Sequence, residues 1–158
     1  MSEFFAYITH KDGIADDTAL ELIHAARKID ADAPVTAVVT GSGADLDAAC
    51  AEMTGSYREV WKIDHEALAY PNAEAIRKAL VNILPADGVV LLANNTLGMD
   101  LGPGLSIKMD SSFAADVVDL DGIEGSTLKL IRQEYAGQVS THVDCDISAG
   151  AVITVRPG

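Results

Sequence analysis

Residues 88–105 read GVVLLANNTLGMDLGPGL, and this stretch decides the fold. Its apolar run at 89–93 does not alternate with polar residues, which is typical of a strand covered on both faces. The next three side chains are short and polar, as turns require. We predict that Asp100 is the N-cap of the following helix, with Pro103 in its first turn, where a missing N–H costs little. The stretch therefore predicts a buried strand, a polar turn and a helix.

The polar turn after this strand is the first place to expect a ligand. In an open α/β sheet, ligands bind in the crevice outside the carboxyl ends of the strands. Any cofactor held by this chain should therefore contact the turn and the residues just after it. The candidate binding residues are Asn94, Asn95, Thr96, Gly98 and Asp100.

Composition and charge narrow the class of protein. With 158 residues, 49% of them hydrophobic and 22% charged, the chain is expected to form a single domain. Its net charge of −13 argues against nucleic acid and anionic membranes as partners, because both are bound through Lys and Arg. We interpret the acidity as a source of solubility, and an acidic docking face is the alternative. No membrane span or basic signal region is visible, so a cytoplasmic protein is expected.

Strands and helices alternate through the first two thirds of the chain. A capping-box spacing at Thr18 and Glu21 predicts one helix, and the apolar positions of 46–53 predict a second. Asn72 is the predicted N-cap of a third helix. Apolar runs predict the strands at 4–9, 35–40, 59–64, 89–93 and 115–120.

The last third has a different pattern. Segments 127–135 and 139–145 flank a turn at Gly137 and predict an antiparallel hairpin. Segment 151–155 predicts a last strand, which we place at an edge. Together with the alternating part, this predicts an α/β fold: a three-layer α/β/α sandwich with a mostly parallel sheet and a C-terminal antiparallel hairpin.

No set of residues predicts catalysis or a metal site. The turn at 41–43 lacks both the third glycine of a dinucleotide-binding loop and the Lys-Ser/Thr of a P-loop, so it indicates phosphate binding only weakly. Cys50 and Cys145 form no C-x-x-C motif, and Cys50 fits a small core residue. Several acidic and histidine residues are interpreted as solvated loops and strand ends: His65, Asp116, Asp119, Asp121, His142, Asp144 and Asp146.

The order of these motifs resembles the amino-terminal domain of the electron-transfer flavoprotein alpha subunit. The resemblance is carried by FAYI at 5–8, by VLLA at 90–93 with GMDLGP at 98–103, by YAG at 135–137 and by TVRP at 154–157. In the family the middle segment usually reads Gly-Arg-Asp-Leu-Ala-Pro-Arg-Leu-Ala. Met99 and Gly104 stand here in place of its two arginines, so no role of those charges is carried over.

The resemblance implies an adenine-nucleotide-binding-like fold that acts as a scaffold and assembly domain without catalytic residues of its own. It implies that residues 156–158 begin a linker to a flavin-binding domain absent from this chain. FAD is then expected in the full-length complex, and none on this chain alone. The implied partner is the beta subunit, which carries AMP or a second FAD. Acyl-CoA or other dehydrogenases are implied partners of the whole complex, in the cytoplasm or in a eukaryotic mitochondrial matrix.

A stand-alone adenine-nucleotide-binding module is the alternative function. Its ligand would lie at the carboxyl ends of the strands, near Thr9, 41–43 and 94–98. The turns contain no recognisable phosphate motif, and this favours the assembly domain over the nucleotide-binding module. An enzyme is the third possibility, and no nucleophile and base pair supports it.

Overall fold

The computed structural model describes residues 3–158, which form an eight-stranded sheet with two helices on each face. The helices are α1 (Thr18–Ile29), α2 (Gly43–Met53), α3 (Ala73–Ile83) and α4 (Thr96–Met109). The strands of the sheet are β1 (Phe4–Ile8), β4 (Val35–Gly41), β5 (Glu59–Asp64), β6 (Val89–Ala93), β7 (Ser112–Glu124), β8 (Thr127–Glu134), β9 (Val139–Asp146) and β10 (Ala151–Val155). Two short strands, β2 (His10–Lys11) and β3 (Ile14–Ala15), form a separate hairpin.

The strands lie in the order β5-β4-β1-β6-β10-β7-β8-β9. The first six are parallel, and β8 and β9 add antiparallel pairs beyond β7. The predicted fold class, a mostly parallel sheet with a C-terminal antiparallel hairpin, is therefore confirmed. No helix within residues 3–158 is long and apolar enough to cross a membrane.

We expected the last strand, β10, to lie at an edge of the sheet, and this prediction is wrong. β10 pairs in parallel with both β6 and β7, and Ala151, Val152 and Ile153 are 0% exposed. An apolar run without alternation is typical of a strand buried on both faces, and this property, rather than position in the chain, decides where β10 lies. The outer strands are β5 and β9.

β6 separates two hydrophobic cores. Val89 and Leu91 face α1 and α2, whereas Val90 and Leu92 face α3 and α4. The second core includes the tilted ring pair of Phe5 and Trp61, whose centroids are 5.1 Å apart. The five apolar residues of β6 are all buried, which confirms the strand covered on both faces.

The helix after β6 begins earlier than predicted. α4 starts at Thr96, and Asn95 is its N-cap because Asn95 Oδ1 accepts a hydrogen bond from the Gly98 N–H at 2.8 Å. Asp100 therefore lies inside the helix and is not its N-cap. Pro103 lies beyond the first turn, also contrary to expectation. Pro103 has no N–H to donate to the carbonyl of Met99, four residues before it in the helix.

Two details nearer the N-terminus also differ from the sequence analysis. α1 begins at Thr18 as predicted, but without a capping box: its N-cap residue, Asp17, makes no side-chain cap hydrogen bond, and the Asp16 carboxylate accepts from the Thr18 N–H at 2.9 Å. The predicted strand at 115–120 is the middle of the longer β7. The predicted cap of α3 is confirmed, since Asn72 Oδ1 accepts from the Ala75 N–H.

Candidate functional site at the carboxyl edge of the sheet

The carboxyl ends of β1 and β6 form the crevice at which this topology favours a ligand. The chain leaves β1 toward β4 and β5 on one side, and it leaves β6 toward β7 on the other. Since β1 and β6 are neighbours, their carboxyl ends mark the switch point of the sheet. A cavity of about 60 Å³ opens there, which we call the switch-point cavity. It is lined by Tyr7, Thr9, His10, Thr40, Leu68, Ala69, Pro71, Ile76 and Leu97.

Two polar atoms in the lining residues of this cavity have no hydrogen-bond partner among residues 3–158: Oγ1 of Thr9 and Nδ1 of His10. His10 Nε2 lies 2.8 Å from the carbonyl oxygen of Thr40. A carbonyl only accepts, so His10 Nε2 donates this hydrogen bond. A volume of about 60 Å³ holds one or two water molecules. Pockets that take drug-sized ligands measure about 300 Å³ or more, so the cavity suits water rather than a nucleotide.

Tyr7 forms the inner wall of the switch-point cavity. Its hydroxyl lies 2.7 Å from Thr40 Oγ1, and burial raises the pKa of Tyr7 from 10.0 to about 12. The folded state therefore favours the protonated phenol. The resulting stabilisation is present below pH 10, and it is lost as the pH rises through the raised pKa.

The predicted candidate loop lies at the end of β6 and in the first turns of α4. Asn95 caps the helix, and Gly98 is buried against β6, where a Cβ would lie 1.9 Å from the last carbonyl oxygen of that strand. Thr96 and Asp100 are exposed on the surface of the helix. The local geometry of α4 thus explains Asn95 as a cap and Gly98 as a close contact, while Thr96 and Asp100 project to solvent.

The remaining residue of the loop, Asn94, belongs to a polar cluster that the sequence analysis missed. We call it the Asp116 cluster; it consists of Asn94, Asp116, Gln133, Thr154 and Arg156. Thr154 Oγ1 donates to Asn94 Oδ1 at 3.0 Å and accepts from the Asp116 N–H at 2.8 Å. Asn94 Nδ2 donates to Asp116 Oδ1 at 3.1 Å. These three hydrogen bonds form a closed ring that joins the ends of β6 and β10 to the middle of β7.

The guanidinium of Arg156 binds the open side of this ring. Its Nε and Nη2 donate to the two carboxylate oxygens of Asp116 at 2.9 and 2.6 Å, and Nη1 donates to Gln133 Oε1 at 2.7 Å. These hydrogen bonds hold the pKa of the Asp116 carboxyl below its usual value. The arrangement is the bidentate geometry in which Arg and carboxylate pairs are strongest.

The interpretation of Asp116 as an exposed strand end is wrong, and its neighbours also lie within β7 rather than at its end, although they are exposed as expected. Asp119 and Asp121 are exposed, and Asp119 pairs with Lys28 at 2.5 Å. Asp116 instead has a φ of 55° and lies where the register between β7 and β10 shifts. No signal in the sequence links it to Arg156, which lies forty positions further on.

The remaining motifs singled out in the sequence do not converge on this edge as a binding site. At the start of α2, the Gly43 N–H donates to Asp64 Oδ1 at 3.3 Å. The Asp64 carboxylate therefore lies at the helix N-terminus, where a phosphate would otherwise bind. His65 caps the 3₁₀ turn at Glu66–Leu68 through its Nδ1. Asp144 pairs with Lys129 across the hairpin at 3.0 Å. Among residues 3–158, no three potential ligands stand close enough for a metal ion.

The two departures from the family segment have visible consequences on α4. Met99 is 56% exposed. Pro103 follows it one helical turn later and Ile107 two turns later, so the three side chains share one face of the helix, which we call the α4 stripe. Gly104 leaves room for the side chain of Arg77 from α3, since a Cβ there would lie 2.7 Å from Arg77 Nη1. A guanidinium therefore still lies beside α4, although it comes from another helix.

Comparison with known proteins gives one family and several distant relatives. A family model described as an electron transfer flavoprotein domain matches residues 5–158. A probable electron transfer flavoprotein subunit alpha, mitochondrial, from Cryptococcus neoformans var. grubii is 27% identical over 154 residues, covering 94% of this chain and 43% of that protein.

Two bacterial relatives give a similar picture. Protein FixB from Clostridium saccharobutylicum is 24% identical over 160 residues, covering 98% of this chain and 47% of that protein. Acryloyl-CoA reductase electron transfer subunit beta from Anaerotignum propionicum is 22% identical over 182 residues, covering 99% of this chain and 50% of that protein. The chain thus spans about half the length of the curated relatives it matches.

Proposed function

Because the chain belongs to the electron transfer flavoprotein domain family, whose members are electron carriers, we propose that it is the amino-terminal scaffold domain of an alpha-type subunit. In this role it packs against a beta-type subunit and supports flavin-mediated electron transfer from acyl-CoA or other dehydrogenases. The observation that carries the proposal is the family match over nearly the whole chain, together with relatives about twice as long.

Two clefts of this domain are poorly suited to FAD. The switch-point cavity is too small, and a larger cleft of about 510 Å³ at the amino ends of the strands is lined by Glu3, Asp30 and Glu59 against the single cation Arg58. Acidic walls disfavour a pyrophosphate. We therefore assign no flavin chemistry to these residues and propose that FAD is bound by a further domain that follows the linker at 156–158. AMP or a second FAD would belong to the beta-type subunit.

The α4 stripe is the surface we expect to contact the beta-type subunit. Met99 and Ile107 are 56% and 77% exposed, and contiguous exposed apolar side chains are typical of protein interfaces. A charged substitution lowers the binding affinity most when it replaces an apolar contact near the centre of an interface.

We expect Ile107→Glu to weaken the complex with the beta-type subunit of the same organism at least tenfold. Ile14→Glu is the matched control, because Ile14 is 68% exposed on the β2–β3 hairpin, away from α4. The measurement is the dissociation constant of the full-length subunits, with light scattering to give the stoichiometry. Absence of any complex at micromolar concentration would contradict the proposed function, and equal effects of the two substitutions would contradict the assigned surface.

A further inference from the structure

We propose that Asp116 and Arg156 form a latch that fixes the path of residues 156–158 where the chain leaves β10. The latch itself rests on contacts within this domain. Its consequence for a following domain rests on the proposed function.

The carboxylate half of the latch is held by contacts that do not involve Arg156. Asp116 has a φ of 55°, a left-handed conformation that is unfavourable for a non-glycine residue and persists where surrounding contacts impose it. The ring of hydrogen bonds with Asn94 and Thr154 supplies those contacts, and Thr154 is 0% exposed. The carboxylate therefore presents both oxygens in one fixed direction, toward the chain leaving β10.

The cationic half connects three parts of the fold. The backbone N–H of Arg156 donates to the Val117 carbonyl at 2.9 Å, so the residue is aligned with β7. Its side chain then binds Asp116 on β7 and Gln133 on β8. Two residues later, the Gly158 N–H lies 3.2 Å from a carboxylate oxygen of Glu21 on α1. The peptide after β10 is thus directed across the sheet edge toward α1.

This pair differs from an ordinary surface ion pair in how little freedom its partners keep. Exposed pairs contribute little because two flexible side chains must be ordered to form them. Here the Asp116 carboxylate is fixed by the ring of hydrogen bonds with Asn94 and Thr154. The Arg156 guanidinium is fixed by its bidentate contact with that carboxylate and by its hydrogen bond to Gln133. The side chains of Arg156 and Asp116 remain 39% and 33% exposed, so breaking the latch should loosen the exit of the chain without unfolding the core.

The latch has a consequence for the assembly if the proposed function is correct. Residues 156–158 then lead from the scaffold toward the flavin-binding domain. The latch would set the direction in which that domain is attached, and Asp116 and Arg156 would be positioning residues for it.

The test compares Asp116→Asn with Asp119→Asn in the full-length protein. Asn tolerates a positive φ, so the first substitution removes the charge and the bidentate contact while keeping the backbone conformation. The second removes an exposed ion pair with Lys28 on the same strand. Hydrogen exchange measured by mass spectrometry on peptides covering 152–158 should become at least tenfold faster for Asp116→Asn and stay unchanged for Asp119→Asn. Peptides covering β6 should not change in either variant.

Arg156→Lys gives an intermediate check. Lysine keeps the positive charge but cannot make the bidentate contact. We therefore expect a hydrogen-exchange rate at 152–158 between that of the unaltered protein and that of Asp116→Asn. Unchanged exchange at 152–158 in Asp116→Asn would overturn the latch, and so would faster exchange that extends through β6. These outcomes do not depend on a flavin domain, so failure of the latch and failure of the proposed function can be told apart.

Discussion

Gly98→Ala is expected to lower the free energy of unfolding by at least about 3 kcal/mol. Gly98 lies in the first turn of α4, and a Cβ there would be 1.9 Å from the carbonyl oxygen of Ala93 and 3.1 Å from its carbon. Real Cβ contacts are essentially never shorter than 3.0 Å, so α4 and β6 would have to move apart by about 1 Å. Neither side of this contact is a flexible side chain. The strain would therefore spread into the packing of both elements.

The matched control for this substitution is Gly55→Ala. Among residues 3–158, the only atom within 4 Å of a Cβ at Gly55 would be the Glu52 carbonyl oxygen at 4.0 Å, and the backbone of Gly55 is not in the left-handed region. Stability should be unchanged or raised by up to about 1 kcal/mol, because alanine restricts the unfolded chain. Urea unfolding of both variants measures the difference. A Gly98→Ala variant as stable as the Gly55→Ala variant would contradict the close approach of α4 to β6.

Thr154→Val is expected to cost about 2–3 kcal/mol although it changes the shape of the side chain very little. The substitution removes the Thr154 hydroxyl, which takes part in two of the three hydrogen bonds of the ring in the Asp116 cluster. The Asp116 N–H and Asn94 Oδ1 then lose their partner in a partly buried region. Leaving buried donors and acceptors unpaired costs more than the hydrogen bonds themselves contribute.

Thr36→Val is the matched control for the loss of the hydroxyl. Thr36 is also buried in the parallel sheet, on β4, but its hydroxyl lies outside the Asp116 cluster. We expect its unfolding free energy to change by less than about 1 kcal/mol, because no ring of hydrogen bonds depends on it. If thermal or urea unfolding showed equal losses for the two variants, the ring would contribute nothing beyond ordinary packing.

The fold could be predicted because its main signals are local. An unbroken apolar run predicts a strand buried on both faces, and β6 has this property over its whole length. The side chain of Asn72 caps α3 as expected, since a cap involves only the next few residues. These features depend on neighbours in the sequence, which are visible without a structure.

The place of β10 and the start of α4 could not be predicted in the same way. An apolar run at 151–155 does not say which strands will flank it, because that depends on the order of the whole sheet. At α4, two residues compete as N-cap, and the pairing of Asn95 with Gly98 prevails over Asp100. Pro103 is typical of a helix start, but α4 begins seven residues earlier and continues through it.

The candidate site was predicted in part. The loop after β6 does lie at the carboxyl edge of the sheet, and one of its residues, Asn94, enters the Asp116 cluster. The other members come from β7, β8 and the end of β10, so only the folded sheet brings them together. Whether the loop binds a ligand stays a prediction.

The most direct test of the proposed function is the intact mass and flavin content of the native protein, purified from its source cells together with whatever subunit accompanies it. We predict a polypeptide about twice the 16.6 kDa of this chain, bound to a second subunit and carrying FAD with its characteristic visible absorbance. A native polypeptide of the mass of this chain, without a partner subunit and without flavin, would contradict the account. That result would favour the alternative of a separate nucleotide-binding module.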